Sequence, residues 1–215
     1  MVLMKIKELA EKLAIHTRKP TGPFGKVVGE YMAKIHVKVT EWGLSKIDIN
    51  PNHIILDVGF GAGYNINNIA KNLENGKIYG IDYSETMVEL AKEINRKYIE
   101  SGLVEIKHGL ISSLPFPEKF FDIVISVETV NFWPDIINDL KEVKRVLKPG
   151  GTLLLINNSY KHKKFKKRNK KWKKLSNLNL YTPKQFKKFF IKAGYSNIKI
   201  FEVEERNWMT IKGIN

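Results

Sequence analysis

The sequence predicts an α/β domain on a mostly parallel sheet, and three observations carry that prediction. From Ile54 onward, short apolar runs alternate with segments whose apolar residues recur every three or four positions, as expected of strands covered on both faces by helices. The first run ends in a turn with glycine at 59, 61 and 63. The chain closes on two apolar runs joined by a short polar turn, residues 197–203 and 208–212, which read as a terminal hairpin on the otherwise parallel sheet.

Taken in order, Ile6, Leu9, Ala10 and Leu13 fall at helical spacing, a loop with turn formers runs from Lys19 to Gly25, and a second helix spans residues 26–42 up to the break at Asn50-Pro51. Residues 1–50 are thus expected to be a helical N-terminal cap, and residues 51–215 the main domain. The glycine-containing loop between the two cap helices suits the hinge of a lid. Residues 54–58 form the first strand, and Ile66, Ile69, Ala70 and Leu73 mark the helix after the glycine turn. Residues 77–81 are the next strand; Ser84 caps a helix bearing Met87, Leu90, Ala91 and Ile94 and ending near Gly102. Residues 104–107 and 121–127 are strands. Pro134 is placed in the first turn of a helix with the stripe Ile136, Leu140, Val143 and Leu147, which Pro149-Gly150-Gly151 ends before a strand at 152–157. A helix at 183–192, closed by Gly194, precedes the hairpin.

Composition narrows the class. No cysteine occurs among the 215 residues, so disulfide and thiolate chemistry are excluded, in keeping with a cytoplasmic protein. No apolar run is long enough to span a membrane, and the five histidines lack metal-ligand spacing, so no metal is expected. The net charge of +15 is local: between Lys161 and Lys174 stand ten Lys/Arg and no acid. Only Arg18, Arg96, Arg145, Arg168 and Arg206 among the 37 basic residues are arginine, and Gln185 is the one glutamine. A lysine-rich codon bias of that kind loads surfaces with charge without a functional cause.

The chemistry is concentrated in ILDVGFGAGYN, Ile55 to Asn65. Glycines there let a ligand approach the backbone, and the helix that follows presents free N–H groups. The dinucleotide pattern G-x-G-x-x-G would need glycine where Tyr64 stands, and the phosphate-loop pattern is absent. Asp82, at the end of the second strand in IYGIDYSETM, lies where an acid commonly accepts both ribose hydroxyls; its competing role is to cap the helix after Ser84.

With LPFPEKFFDIVISVE and RVLKPGG following in order, the chain resembles the class I S-adenosylmethionine-dependent methyltransferases. It is most similar to the branch of ubiquinone and menaquinone biosynthesis methyltransferases. The resemblance runs from about Ile54 to Asn157. It implies a Rossmann-like seven-stranded sheet in the order 3-2-1-4-5-7-6, the last inserted strand antiparallel, and S-adenosyl-L-methionine as cofactor. On that basis Gly59, Phe60 and Gly61 pass under the methionine part of the cofactor with Gly63 completing the turn, and Asp57 orients the loop and reaches toward the amino group. Asp82 holds the ribose, Tyr83 and Met87 pack on the adenine unless both are simply core, and Val127 and Glu128 face the sulfonium. One departure stands out. Where the family carries Asp after the third strand, this chain reads HGLISSLPF with Leu110, leaving the backbone of Ile111 and the hydroxyl of Ser112 to meet the adenine edge.

An acceptor that must lose a proton needs a base. His36 and Glu128 are the leading candidates, with Tyr31 and Tyr160 behind them; a surface position for His36 is the competing reading. Phe132-Trp133 either walls the acceptor site or packs the next helix. Residues 160–175 read as an amphipathic helix with Phe165, Trp172 and Leu175 on one side. A solvated lysine face is the first reading for it, ahead of nucleic-acid binding and of attachment to an anionic membrane. The expected function is methyl transfer to a small-molecule acceptor by a monomer or homodimer. The alternatives are an RNA or protein methyltransferase using segment 161–174, or a non-catalytic cofactor-binding partner subunit.

Overall fold

The computed structural model describes residues 16–215, so the helical pattern of Ile6 to Leu13 lies outside the described residues. Seven strands form one sheet in the order β3-β2-β1-β4-β5-β7-β6: β1 (Ile54–Val58), β2 (Lys77–Asp82), β3 (Val104–His108), β4 (Phe121–Val127), β5 (Leu147–Asn157), β6 (Ser196–Val203) and β7 (Trp208–Ile214). The pairs among β1 to β5 are parallel, while β7 runs antiparallel to both β5 and β6. The expected order and the terminal hairpin are both present.

Helices cover both faces. On one, α5 (Ile136–Val146) and α7 (Pro183–Lys192) press Leu140, Val143, Phe186 and Phe190 onto Leu56, Val124, Leu153 and Leu155. On the other, α2 (Tyr64–Ala70) and α3 (Glu85–Ile94) press Ile66, Ile69, Val88 and Ala91 onto Ile55, Ile78, Ile123 and Ile125. Local chemistry sets the ends. Ser84 accepts from the Met87 N–H, Asp135 accepts from Ile137 and Asn138, and Thr182 with Gln185 forms a reciprocal box behind Pro183, each satisfying N–H groups a helix start leaves free.

Several boundaries differ from the sequence reading, among them the end of α2 at Ala70, short of Leu73. The helix expected at residue 26 begins four residues earlier, as α1 (Gly22–Leu44). Pro23 occupies a first-turn position that needs no N–H partner, and the Gly25 N–H already bonds to Thr21 O at 3.1 Å; the supposed glycine hinge is therefore the helix's first turn. The helix running toward Gly102 breaks into α3 and α4 (Arg96–Glu100), because the buried Asn95 side chain donates to Gly63 O and Ala91 O. Pro134 precedes the cap Asp135 instead of lying inside the helix. β5 starts at Leu147 and absorbs Pro149-Gly150-Gly151, with a register shift opposite Phe121–Ile123.

α1 crosses over the sheet at two glycine contacts. A Cβ on Gly29 would stand 2.5 Å from Met87 Sδ, and one on Gly43 would stand 2.6 Å from Ile156 side-chain atoms. The helix thereby spans from α3 to β5, where Val39 is buried with Leu154 and Ile156. The basic segment folds as a short 3-10 turn (Lys163–Phe165) followed by α6 (Lys166–Ser176).

Candidate active site

The glycine turn after β1 holds its three glycines at φ of +72°, +56° and +81°, but they are not equivalent. A Cβ on Gly59 would lie 2.4 Å from the Thr129 methyl and one on Gly63 2.6 Å from Ala91 Cβ, whereas one on Gly61 would meet nothing within 4 Å. Gly61 therefore offers bare backbone to open space, as a cradle for a ligand must. The Phe60 side chain turns the other way, into the core beside Ile66 and against Gly80, so only its backbone borders the cradle.

Two buried carboxylates flank this turn. Asp82 accepts from the Gly61 N–H and the Ser84 N–H, both at 2.9 Å, which ties the ends of β1 and β2 together. Burial pushes its carboxyl up to about 6 despite those hydrogen bonds. Asp57 accepts from Asn65 Nδ2 at 2.9 Å. Burial pushes it up to about 7, the Asn65 bond opposing and the nearby Asp82 adding to the rise. Asp57 Oδ1 and Asn65 Oδ1 are buried acceptors with no protein partner. A buried acceptor without a partner is costly, and a bound ammonium beside them would remove that cost. The chemistry of these residues fits S-adenosylmethionine, in that unpaired acceptors on Asp57 and Asn65 suit an ammonium, bare backbone at Gly61 suits close approach, and a carboxylate at Asp82 suits ribose hydroxyls.

Binding of a cation there is coupled to protons. Ligand contacts favour ionised Asp57 and Asp82, so below about pH 7 binding must expel protons and affinity falls as pH drops through about 7 and then 6. Calorimetry at pH 6 in buffers of different ionisation enthalpy should show net proton release; buffer-independent heats would overturn this account. The ligand-free chain behaves oppositely. Its raised carboxylates, Glu128 included, bind protons that the unfolded chain does not, so stability should rise as pH falls from about 8 toward 6.5. Below 6.5 His36, held down to about 4 by burial, begins to offset that gain.

The residues expected at the adenine are less uniform. The Tyr83 hydroxyl donates to Arg18 O and its ring lies 5.4 Å from Lys19 Nζ, so residues leading into α1 already cover it. Met87 is fully buried with Ala62 and Leu90 beneath Gly29. Leu110 is 58% exposed and Ile111 leans on the core. Ser112, the imagined substitute for the missing acid, donates to Asp139 at 2.8 Å.

At the end of β4, Val127 pairs with Ile156, and Glu128 adopts φ +62°, an unusual backbone for a residue with a side chain. Glu128 Oε1 accepts from the Asn158 N–H, and burial pushes the carboxyl up to about 8, with Arg168 of α6 pulling it down. At neutral pH it is mostly a proton donor. Thr129, which sequence reasoning missed, joins this end together: its hydroxyl meets Ser126 Oγ, bonds to Val58 O and accepts from Trp133 Nε1 at 3.2 Å, while its methyl fills the space left by Gly59. Its only signal in the sequence was adjacency to Glu128. Trp133 is therefore core, with Phe132 half-buried beside it. His36 is 9% exposed on the inward face of α1, in line with Gly29 and Gly43; it is not a surface histidine. Among the described residues no cluster of three potential metal ligands occurs, and no helix is long and apolar enough to cross a membrane.

A family profile described as a methyltransferase domain matches residues 56–155. The chain is similar to an uncharacterized methyltransferase, YdaC, of Bacillus subtilis (strain 168), with 35% identity over 58% of this chain and 67% of that protein. It is similar also to a demethylmenaquinone methyltransferase of Listeria monocytogenes serotype 4a, with 33% identity over 74% of this chain and 65% of the relative. The chain spans from about half to two thirds of the length of such relatives. The crystal structure of a SAM-dependent methyltransferase from Aquifex aeolicus superposes with a TM-score of 0.68 at 22% identity, covering 86% of this chain and 97% of that one.

Proposed function

We propose that this chain, which belongs to the class I S-adenosylmethionine-dependent methyltransferase family, transfers a methyl group to a small apolar acceptor bound between α1, the end of β4 and α6. The observation that carries this reading is the open space at the Gly61 backbone, taken together with the buried acceptors that Asp57 and Asn65 leave unpaired. When bound, the cofactor supplies an activated methyl on a sulfonium, whose carbon–sulfur bond electrons stay with sulfur as the acceptor's electron pair takes the carbon. The protein's own task is positioning and dryness. Asp82 and Asp57 fix one partner, α1 roofs the site, and Val127 with Glu128 forms the floor beneath the transfer line.

Residues 1–50 act as a cap on the domain 51–215 in this reading, with a cytoplasmic setting that a cysteine-free chain suits. His36 takes the acceptor's proton as neutral imidazole, and Glu128, protonated at neutral pH, donates a hydrogen bond to an acceptor oxygen. Relatives named demethylmenaquinone methyltransferases make an acceptor of that kind the first to test. Purified protein, labelled cofactor and a short-tailed demethylmenaquinone analogue should give transfer of label to the analogue. Label appearing only in added RNA or protein would sink the small-molecule reading.

A further inference from the structure

Two features of the surface are not used by the site. The first is charge. The nine lysines between Lys161 and Lys174 are all exposed, and none forms an ion pair among the described residues. The single arginine of that stretch, Arg168, is half-buried and contributes to the field at Glu128. The segment therefore keeps its arginine for the interior and its lysines for the outside. The second is an apolar stripe on α1: Phe24, Val27, Tyr31 and Ile35, at helical spacing on one face, are between 43% and 62% exposed. Trp172 of α6 is exposed to 44%.

These features lie next to one another. The Thr17 hydroxyl is 3.5 Å from that of Ser176, so the last turn of α6 meets the residues that lead into α1. α1 itself packs beside α3 and onto β5. We propose that α6 and the outer face of α1 together form a docking surface for an anionic lipid bilayer, with the lysines on the headgroups and the α1 stripe and Trp172 entering the acyl boundary. A basic helix alone would suit nucleic acid equally well. The apolar stripe decides between them, because phosphates and bases leave Val27 and Ile35 in water, whereas a bilayer buries them. The inference stands on surface residues and does not depend on which acceptor is methylated.

Flotation of the intact protein with vesicles tests it, comparing phosphatidylcholine alone with phosphatidylcholine containing about one third phosphatidylglycerol. Binding is expected only to the anionic vesicles and should weaken as salt rises. Replacing Lys163, Lys164, Lys166 and Lys167 by Gln should reduce it at least ~10-fold, from the loss of four surface charges. Val27→Asp with Ile35→Asp should reduce it comparably, with cofactor affinity and melting temperature unchanged in both variants. Absence of binding to anionic vesicles would overturn the proposal. So would retention of binding in the α1 variant, or salt-sensitive capture of a labelled RNA that the Gln variant loses while vesicles are ignored.

Discussion

Gly61→Arg is expected to abolish measurable binding of S-adenosylmethionine and of its demethylated product. Three effects add at that position. The backbone stands at φ +56°, where a residue with a Cβ is strained by about 1 kcal/mol. The new side chain starts in the one part of the turn where nothing lies within 4 Å, which is the space the ligand needs. The Gly61 N–H also anchors Asp82 at 2.9 Å, so distortion of the turn misplaces the carboxylate proposed to face the ribose. A loss of at least about 2 kcal/mol, roughly 30-fold in affinity, is the minimum expected. Gly61→Ala separates the terms, since it brings the strain with little volume and should weaken binding only several-fold. Gly59→Ala should behave differently again. Its Cβ runs into Thr129 at 2.4 Å, so the damage should appear as a lower melting temperature. Calorimetry and thermal melts on the three variants would check this, and ordinary affinity in Gly61→Arg would refute the placement of the cofactor.

The glycine turn, Asp82, the cap at Ser84 and the terminal hairpin were legible in the sequence because each is fixed by residues close together in the chain. The turn needs positive φ at set positions, and the carboxylate must end the next strand. What stayed hidden was decided by distant partners. Trp133 could not be assigned to wall or core until Thr129 was seen to hold its indole N–H. Ser112 could be imagined at the adenine only while Asp139, on a helix about 27 residues away, was unknown as its partner. The inward face of α1 was equally hidden, for Gly29 and Gly43 do not signal burial in an amphipathic pattern, yet they seat the helix against Met87 and Ile156. That seating also changes the design of experiments. Val39 of α1 is buried with Leu154 and Ile156, so cutting away residues 1–42 would uncover core, and point substitutions test the cap more cleanly.

His36→Gln is therefore the variant expected to lower turnover most without disturbing the cofactor. His36 lies seven residues from Gly29 and seven from Gly43, hence about 10 Å along the helix from each. Those contacts are with Met87 of α3 and Ile156 of β5, and the proposed role of His36 puts its imidazole between the cofactor turn and the acceptor side. Burial holds it down to about 4, and it is neutral throughout the working range, able to take a proton though only weakly basic. Glu128 is held up to about 8 and cannot serve as base until the solution is alkaline. The two candidates thus predict different pH profiles. With His36 as base and Glu128 as donor, kcat stays level from about pH 5 to about 7 and declines through about pH 8 as Glu128 loses its proton; it falls ~10²-fold or more in His36→Gln, the usual range for losing a general base. With Glu128 as base, kcat would instead climb through about pH 8, and Glu128→Gln would be the damaging change. The first outcome is expected, with S-adenosylmethionine affinity unchanged in His36→Gln. Wild-type turnover in that variant, on an acceptor that must lose a proton, would remove His36 from the mechanism and leave α1 as a roof alone.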